Sequence, residues 1–339
     1  LSTLGKVGVA VLGAFCVKKL VSSSSFRTES EDLRPLPEPP AGSKFITLPK
    51  SKLKLRYTDT TKSKISNEDV TFVLLHGFAG VLESWKFLIP HLTKKISNCR
   101  ILSLDLVGSG FSDKPIGEDF NYSYRNQGGI VGEFLSTLGL SKVVLVGHSS
   151  GTVVAAAAAL ECPSRVIGAV FINNALFRAK SDLYSNPWLK SFFGWGASKM
   201  MTNRKKSLSR MHHPNSIEKI LKDDFVKEFE APTRLPNFLV ALVETVTAKE
   251  PPYINLFEEL LASFPPFPIL FVYGKDDTYK PLPSEQAVSI QEKLDTMEPE
   301  RRTKQIIETI SLDECAHYAQ HEQPEALAEA IQNFICKFS

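Results

Sequence analysis

Apolar positions along the chain gather into short runs bounded by turn residues: VTFVLLHG (70–77), RILSLDLVG (100–108), KVVLVGHS (142–149), VIGAVFINNA (166–175), FPILFVYGKDD (267–277) and TKQIIETI (303–310). A run of this length without alternation predicts a strand buried on both faces, as in a parallel sheet. Two shorter strands joined by a turn are predicted over 44–60. Between the runs lie stretches that predict helices, near 83–95, 122–138, 150–162, 283–294 and 324–338. The last carries Leu327, Ala330, Ile331, Phe334, Ile335 and Phe338 on one stripe at helical spacing. Strand–helix alternation of this kind predicts an α/β fold with a mostly parallel sheet covered on both faces.

The alternation breaks once. About 90 residues separate the strand ending near Ala175 from the one starting near Phe267. A crossover needs only a dozen or so, and long structureless loops are uncommon in compact domains. A helical insertion over one end of the sheet is therefore expected. The organisation read from the sequence is an N-terminal segment over 1–43, a core over 44–175 and 263–339, and a helical cap over 176–262.

The N-terminal segment stands apart. VGVAVLGAFCV (7–17) is apolar and closes on Lys18 and Lys19. Eleven residues do not cross a bilayer, which needs about 20. Read with further apolar residues upstream, the run is the end of a membrane anchor or of a targeting peptide; read alone, it is a short docking helix. Residues 22–43 are rich in Ser, Pro and acidic side chains and read as a linker. The expected location is membrane-associated or organellar, with the plastid as one candidate, and otherwise soluble inside the cell.

Composition narrows the function classes only modestly. The 339 residues carry 40 basic and 37 acidic side chains, a net charge of +3, which gives no argument for nucleic acid as a partner. Five scattered cysteines with no C-x-x-C pair suggest neither a disulfide framework nor a zinc cluster. No metal or organic cofactor is expected.

The chemistry is carried by Gly147-His148-Ser149-Ser150-Gly151, a G-x-S-x-G pentapeptide. Alone it is a weak signal, because Gly and Ser are common. Its context strengthens it: KVVLV precedes it as a strand and TVVAAAAAL follows it as a helix, the placement a nucleophile elbow requires. Flanking glycines and the alanine run allow the helix to double back closely on the strand. A serine hydroxyl needs a base, and the base needs a group that orients it.

In a strand–turn–helix serine site the order along the chain is serine, acid, histidine, with the last two on loops after later strands. Asp277 ends the strand 267–277 and is favoured over Asp276 by the spacing Gly274-x-x-Asp277-x-x-x-Pro281. Of seven histidines, His317 and His321 follow the last strand; His317 is nearer the strand and is preferred as the base, with His321 packing near the next helix. The oxyanion donors are expected to be the backbone N–H groups of Ser150 and Phe78. His76 and His148 adjoin the two turns and are candidates for lining a pocket.

With LLHGF (74–78), DLVGSGFS (105–112), GHSSG (147–151), GKDDTYKP (274–281) and AHYAQHEQPE (316–325) in this order, the sequence resembles the α/β-hydrolase superfamily over about residues 44–338. The resemblance implies an eight-stranded, mostly parallel sheet whose first strands are antiparallel, and a helical cap inserted between strands 6 and 7. It also implies Ser149, Asp277 and His317 as the triad, with Phe78 and Ser150 at the oxyanion hole. The branch it is similar to is that of lidded esterases and lipases, since fold relatives acting on epoxides and haloalkanes carry aspartate where this chain has Ser149. One departure is Asp313-Glu314-Cys315-Ala316 before the histidine, where glycine is common.

The expected activity is hydrolysis of a carboxylic ester with an apolar, lipid-like part. The alternatives are an amide, thioester or carbon–carbon bond cleaved by the same residues, or a ligand receptor with little turnover. Residues 176–222 hold ten basic side chains against two acidic, and include Trp188 and Trp195 among lysines. Aromatics with basic flanks suit contact with anionic lipid head groups, and peripheral membrane contact through the cap is the partner expectation; an ordinary solvated face is its plain counterpart.

Overall fold

The computed structural model describes residues 35–60, 69–117, 120–177, 194, 196–201, 203–262, 268–279, 283–297 and 306–338. Its centre is one eight-stranded sheet in the order β1-β2-β4-β3-β5-β6-β7-β8. The strands are β1 (Lys44–Thr47), β2 (Lys54–Asp59), β3 (Val70–Leu75), β4 (Cys99–Leu104), β5 (Val143–His148), β6 (Val166–Ile172), β7 (Ile269–Gly274) and β8 (Ile307–Leu312). β1 pairs antiparallel with β2 and β2 with β4; every later pairing is parallel. This is the α/β-hydrolase architecture, with the antiparallel strands at one edge.

Two of the predicted elements shift. The stretch 83–95 is a 3-10 turn, Leu82–Trp85, followed by a separate helix α1 (Leu88–Lys95). The last strand runs Ile307–Leu312 rather than 303–310, paired from Ile307 opposite Ile269. It lies at the sheet edge, where only one neighbour constrains the register and the apolar run is a weaker guide.

The continuous runs earn their central places. Phe72, Leu74, Val144, Val146, Val170, Ile172, Leu270 and Val272 face one side of the sheet. They pack there with α1 and the last helix, α11 (Pro324–Ile335), which buries Leu327, Ala328, Ile331, Phe334 and Ile335. The opposite side receives α2 (Tyr124–Thr137) and α3 (Gly151–Glu161). Helix α3 is apolar all round and buried through Ala159, so its alanines serve close packing rather than amphipathic display. A Cβ at Gly128 of α2 would lie 2.4 Å from that of Ala157, which shows how near the two helices pass.

Between β6 and β7 the chain is helical where it is described. Helical backbone at 196–201 leads to α4 (Arg204–Ser209), α5 (Pro214–Ile220), α6 (Asp223–Glu230), α7 (Phe238–Thr247) and α8 (Ile254–Ala262). The insertion is not packed as a separate body at its far end. Leu256, Phe257, Leu260 and Leu261 of α8 join the same core as Phe171 and Phe271 of the sheet. Trp188 and Trp195 lie outside the described residues, as does the apolar run 7–17. Among the described residues no helix is long and apolar enough to cross a membrane.

After β7 come α9 (Pro283–Asp295), then β8, the short α10 (Ala319–Glu322), and α11. The carboxyl ends of β3, β5, β6 and β7 therefore open on one rim, with the insertion against it. Ligands in open α/β sheets bind outside these strand ends.

Candidate active site

Ser149 follows β5 directly and begins the turn into α3 with φ 51°, a left-handed conformation that costs a non-glycine residue about 1–3 kcal/mol. The surroundings hold it there. Its N–H donates to the Ile172 carbonyl at 2.9 Å, and its own carbonyl accepts from the Thr152 N–H at 3.0 Å. The neighbouring glycines are obligatory for a steric reason. A Cβ on Gly151 would lie 2.3 Å from the Leu75 carbonyl oxygen, and one on Gly147 would lie 2.6 Å from that of Gly151. The turn pushes the serine side chain out at the end of the sheet, where the later loops converge.

His317 lies on the loop after β8. Its Nε2 is 3.0 Å from Ser149 Oγ, and its Nδ1 is 2.9 Å from Asp277 Oδ2. All three residues are buried. Asp277, after β7, is held at both oxygens. The Tyr279 N–H donates to Oδ1 at 3.0 Å, and Asn173 Nδ2 donates to Oδ2 at 2.8 Å. Burial alone would raise the Asp277 pKa; the hydrogen bond and charge of His317, together with the donors from Tyr279 and Asn173, outweigh it and hold the carboxyl below its ordinary value. The rival Asp276 is half exposed and faces His213, 3.8 Å away, instead of His317.

Within Asp313-Glu314-Cys315-Ala316, Glu314 takes φ 48°, a left-handed conformation that favours glycine. The backbone thus adopts the glycine-like turn with a glutamate in it. His321, the second candidate base, is buried elsewhere: its Nε2 donates to the Ser84 carbonyl at 2.9 Å and its Nδ1 meets His212 Nε2 at 3.0 Å.

His76 and His148, the pocket-lining candidates, are buried, and both rings hydrogen-bond to nearby backbone. His76 Nδ1 donates to the Gly77 carbonyl at 2.8 Å and Nε2 accepts from the Leu106 N–H at 3.1 Å. His148 Nε2 donates to the carbonyl of His317 at 2.7 Å, so it steadies the loop that carries the candidate base. Phe78 and Ser150 stand at the turns after β3 and β5. Their backbone N–H groups have no acceptor among the described residues, whereas those of Gly80 and Thr152 nearby do.

The sequence reading passed over two neighbours. Asn173, the residue after β6, bridges Asp277 to the Ala316 carbonyl (3.2 Å) and takes φ 44° to do so. Tyr279 stacks on His317 with ring centroids 4.5 Å apart. The signal for Asn173 was present in Asn173-Asn174-Ala175, a pair of amides at the end of a predicted strand.

The sequence profile described as alpha/beta hydrolase fold matches residues 70–324, and this span contains every residue of the site. The chain belongs to the alpha/beta hydrolase fold family. Among relatives of this alpha/beta hydrolase is the human 1-acylglycerol-3-phosphate O-acyltransferase ABHD5, 25% identical over 297 residues, covering 80% of this chain and 78% of the relative. The uncharacterized hydrolase YugF of Bacillus subtilis is 25% identical over 278 residues, covering 78% and 89%. Among solved structures, a thermophilic esterase from Thermogutta terrifontis superposes with a TM-score of 0.62 at 21% identity, over 88% of this chain and 99% of that one. At that identity the likeness is one of fold.

Proposed function

We propose that the protein is a serine hydrolase that cleaves a carboxylic ester with an apolar, lipid-like part. The observation that carries this reading is the row Ser149–His317–Asp277, closed by hydrogen bonds of 3.0 and 2.9 Å. Ser149 Oγ attacks the ester carbonyl as His317 Nε2 takes its proton, and Asp277 holds Nδ1–H so that the imidazole keeps the right tautomer and orientation. The tetrahedral oxyanion accepts from the N–H groups of Phe78 and Ser150, the latter at the positive end of α3. Collapse expels the alcohol, which takes the proton from His317 and leaves an acyl-enzyme. Water then attacks the acyl group with His317 again as base.

The human relative, a 1-acylglycerol-3-phosphate O-acyltransferase by name, supports a variant of the second half in which a hydroxyl of an acylated glycerol phosphate takes the place of water. Both outcomes pass through the same acyl-Ser149. Two measurements test the reading. A fluorophosphonate probe labels the wild type, and Ser149→Ala abolishes the label. p-Nitrophenyl esters of graded chain length then report acyl preference. A wild type that takes no label and releases no nitrophenol from any ester overturns the proposal in favour of a ligand receptor.

A further inference from the structure

Two arginines of this protein are buried, and they are treated differently. Arg56 on β2 is 1% exposed and fully engaged. Its Nε donates to Ser43 Oγ at 2.8 Å, its Nη1 to Asp105 at 3.1 Å, and its Nη2 to Glu83. Two carboxylates compensate that charge. Arg204, the first residue of α4, is 3% exposed and has no carboxylate bonded to it among the described residues. Its Nη2 donates to the Ala79 carbonyl, its guanidinium faces the Phe229 ring 5.4 Å from the centroid, and its Nε has no hydrogen-bond partner. Tyr318 and Glu230 act on its charge only at a distance. A buried guanidinium without a bonded anion is expensive, since its lost hydration is repaid only by a charged or hydrogen-bonding partner.

The location says what that partner is. Ala79 follows Phe78, the oxyanion donor proposed above, and Tyr318 follows His317. The guanidinium therefore lies where the insertion closes over the turn after β3 and the loop after β8, the two segments that flank Ser149. We propose that Arg204 is a specificity-determining residue that binds an anionic oxygen group, carboxylate or phosphate, on the ester substrate. The inference rests on the serine hydrolase reading and adds to it the charge of the substrate. A planar fork with unused N–H donors suits two oxygens of one anion, and a lysine would offer only a point charge.

The test uses matched pairs that differ only in the anion. p-Nitrophenyl butyrate and p-nitrophenyl hemisuccinate form the carboxylate arm; monobutyryl glycerol and its phosphate monoester form the phosphate arm. For the wild type, the anionic member of at least one pair is expected to have the lower KM. Arg204→Gln should raise that KM about tenfold, the scale of a lost hydrogen bond to a charged group, and should cut the preference for the anionic over the neutral member by the same factor. Arg204→Lys should fall between. Whichever arm responds identifies the anion.

Fluorophosphonate labelling of each variant reports that Ser149 and its partners remain assembled. In the Ser149→Ala protein, thermal stabilisation by butyl phosphate or monomethyl succinate, lost on adding Arg204→Gln, reads the anion site without turnover. If that stabilisation is seen while the wild type hydrolyses no member of either pair, the hydrolase reading fails and the anion site stands. Equal losses on the charged and neutral members, or a wild type with no preference and no stabilisation, would make Arg204 a strut between insertion and core and overturn the proposal.

Discussion

The backbone N–H of His317 donates to the carbonyl of Met211, 3.0 Å away, so the candidate base is tied to the helical insertion as well as to the core. A second tie runs beside it. Glu322 accepts from the N–H groups of Ala316 (3.2 Å) and Tyr318 (3.1 Å) on the histidine loop, and from that of His213 (2.6 Å) on the insertion. The position of the imidazole over Ser149 thus depends on how the insertion is seated.

Glu322→Ala should expose this link. Three backbone donors lose a partly buried carboxylate, and we expect a stability loss of about 2–4 kcal/mol in denaturant unfolding. Ester hydrolysis should fall mainly in kcat, because the base is displaced while the acyl pocket is kept. A change confined to KM would contradict the coupling.

Asn173 braces Asp277 through its amide, and under the serine hydrolase proposal it is expected to position the acid. Glycine tolerates its φ of 44° without the side chain, so Asn173→Gly removes the amide without adding backbone strain. We expect kcat to drop about tenfold with KM unchanged, the effect of one hydrogen bond to a charged group. The acid limb of the kcat/KM profile should shift as well, since Asp277 loses a donor that favours its ionised form. Asn173→Ala should lose further stability through strain at the same position.

A pH effect on stability follows from the row Leu208 carbonyl, His212, His321, Ser84 carbonyl. Its three contacts measure 2.8, 3.0 and 2.9 Å and call for three N–H groups, whereas two neutral imidazoles supply two. A proton would complete the row, but burial opposes it. Burial lowers the His212 pKa from 6.5 to about 4, with the nearby His317 adding to the shift. His321 is lowered well below its ordinary value by burial and by His212, His148 and Lys86.

The sign follows from proton counting. Between pH 6.5 and about 4 the unfolded chain binds more protons than the folded one, so stability is full above this window and declines as pH falls through it. For His212 alone the displacement corresponds to about 3 kcal/mol. Thermal unfolding followed from pH 7 to 4 should show the decline, and His212→Gln should make it shallower. An unchanged slope in that variant would remove His212 from the account.

Contact with membranes is the prediction that rests on sequence alone. If the basic stretch 176–222 docks on anionic lipid, sedimentation with phosphatidylserine vesicles should weaken on Trp188→Ala and Trp195→Ala and on raising salt. Equal binding by wild type and double variant would leave those residues as ordinary parts of the insertion.

Much of the fold was legible because it is local. Strands β3 to β7 are continuous apolar runs, and a strand buried on both faces has no other way to read. The elbow was legible for the same reason: strand, Gly147-His148-Ser149-Ser150-Gly151 and alanine-rich helix are contiguous, and the steric demand for glycine is met within five residues. The edge strand β8 was placed less well, since partial burial dilutes its pattern. The backbone partners of His76 and His148 were not legible, because adjacency to a turn does not say which way a ring faces.

From its order of residues alone the chain determined the alternation of strands and helices, the nucleophile turn and the residue types available for proton transfer, since each is a property of neighbours along the backbone. Only the folded arrangement decided that His317 and not His321 meets a serine 168 residues away, that Asn173 braces Asp277, and that Arg56 has its carboxylates while Arg204 has none bonded among the described residues. Hydrogen bonds and burial act through space over a few ångströms, and which groups come that close is set by how the insertion and the sheet pack together.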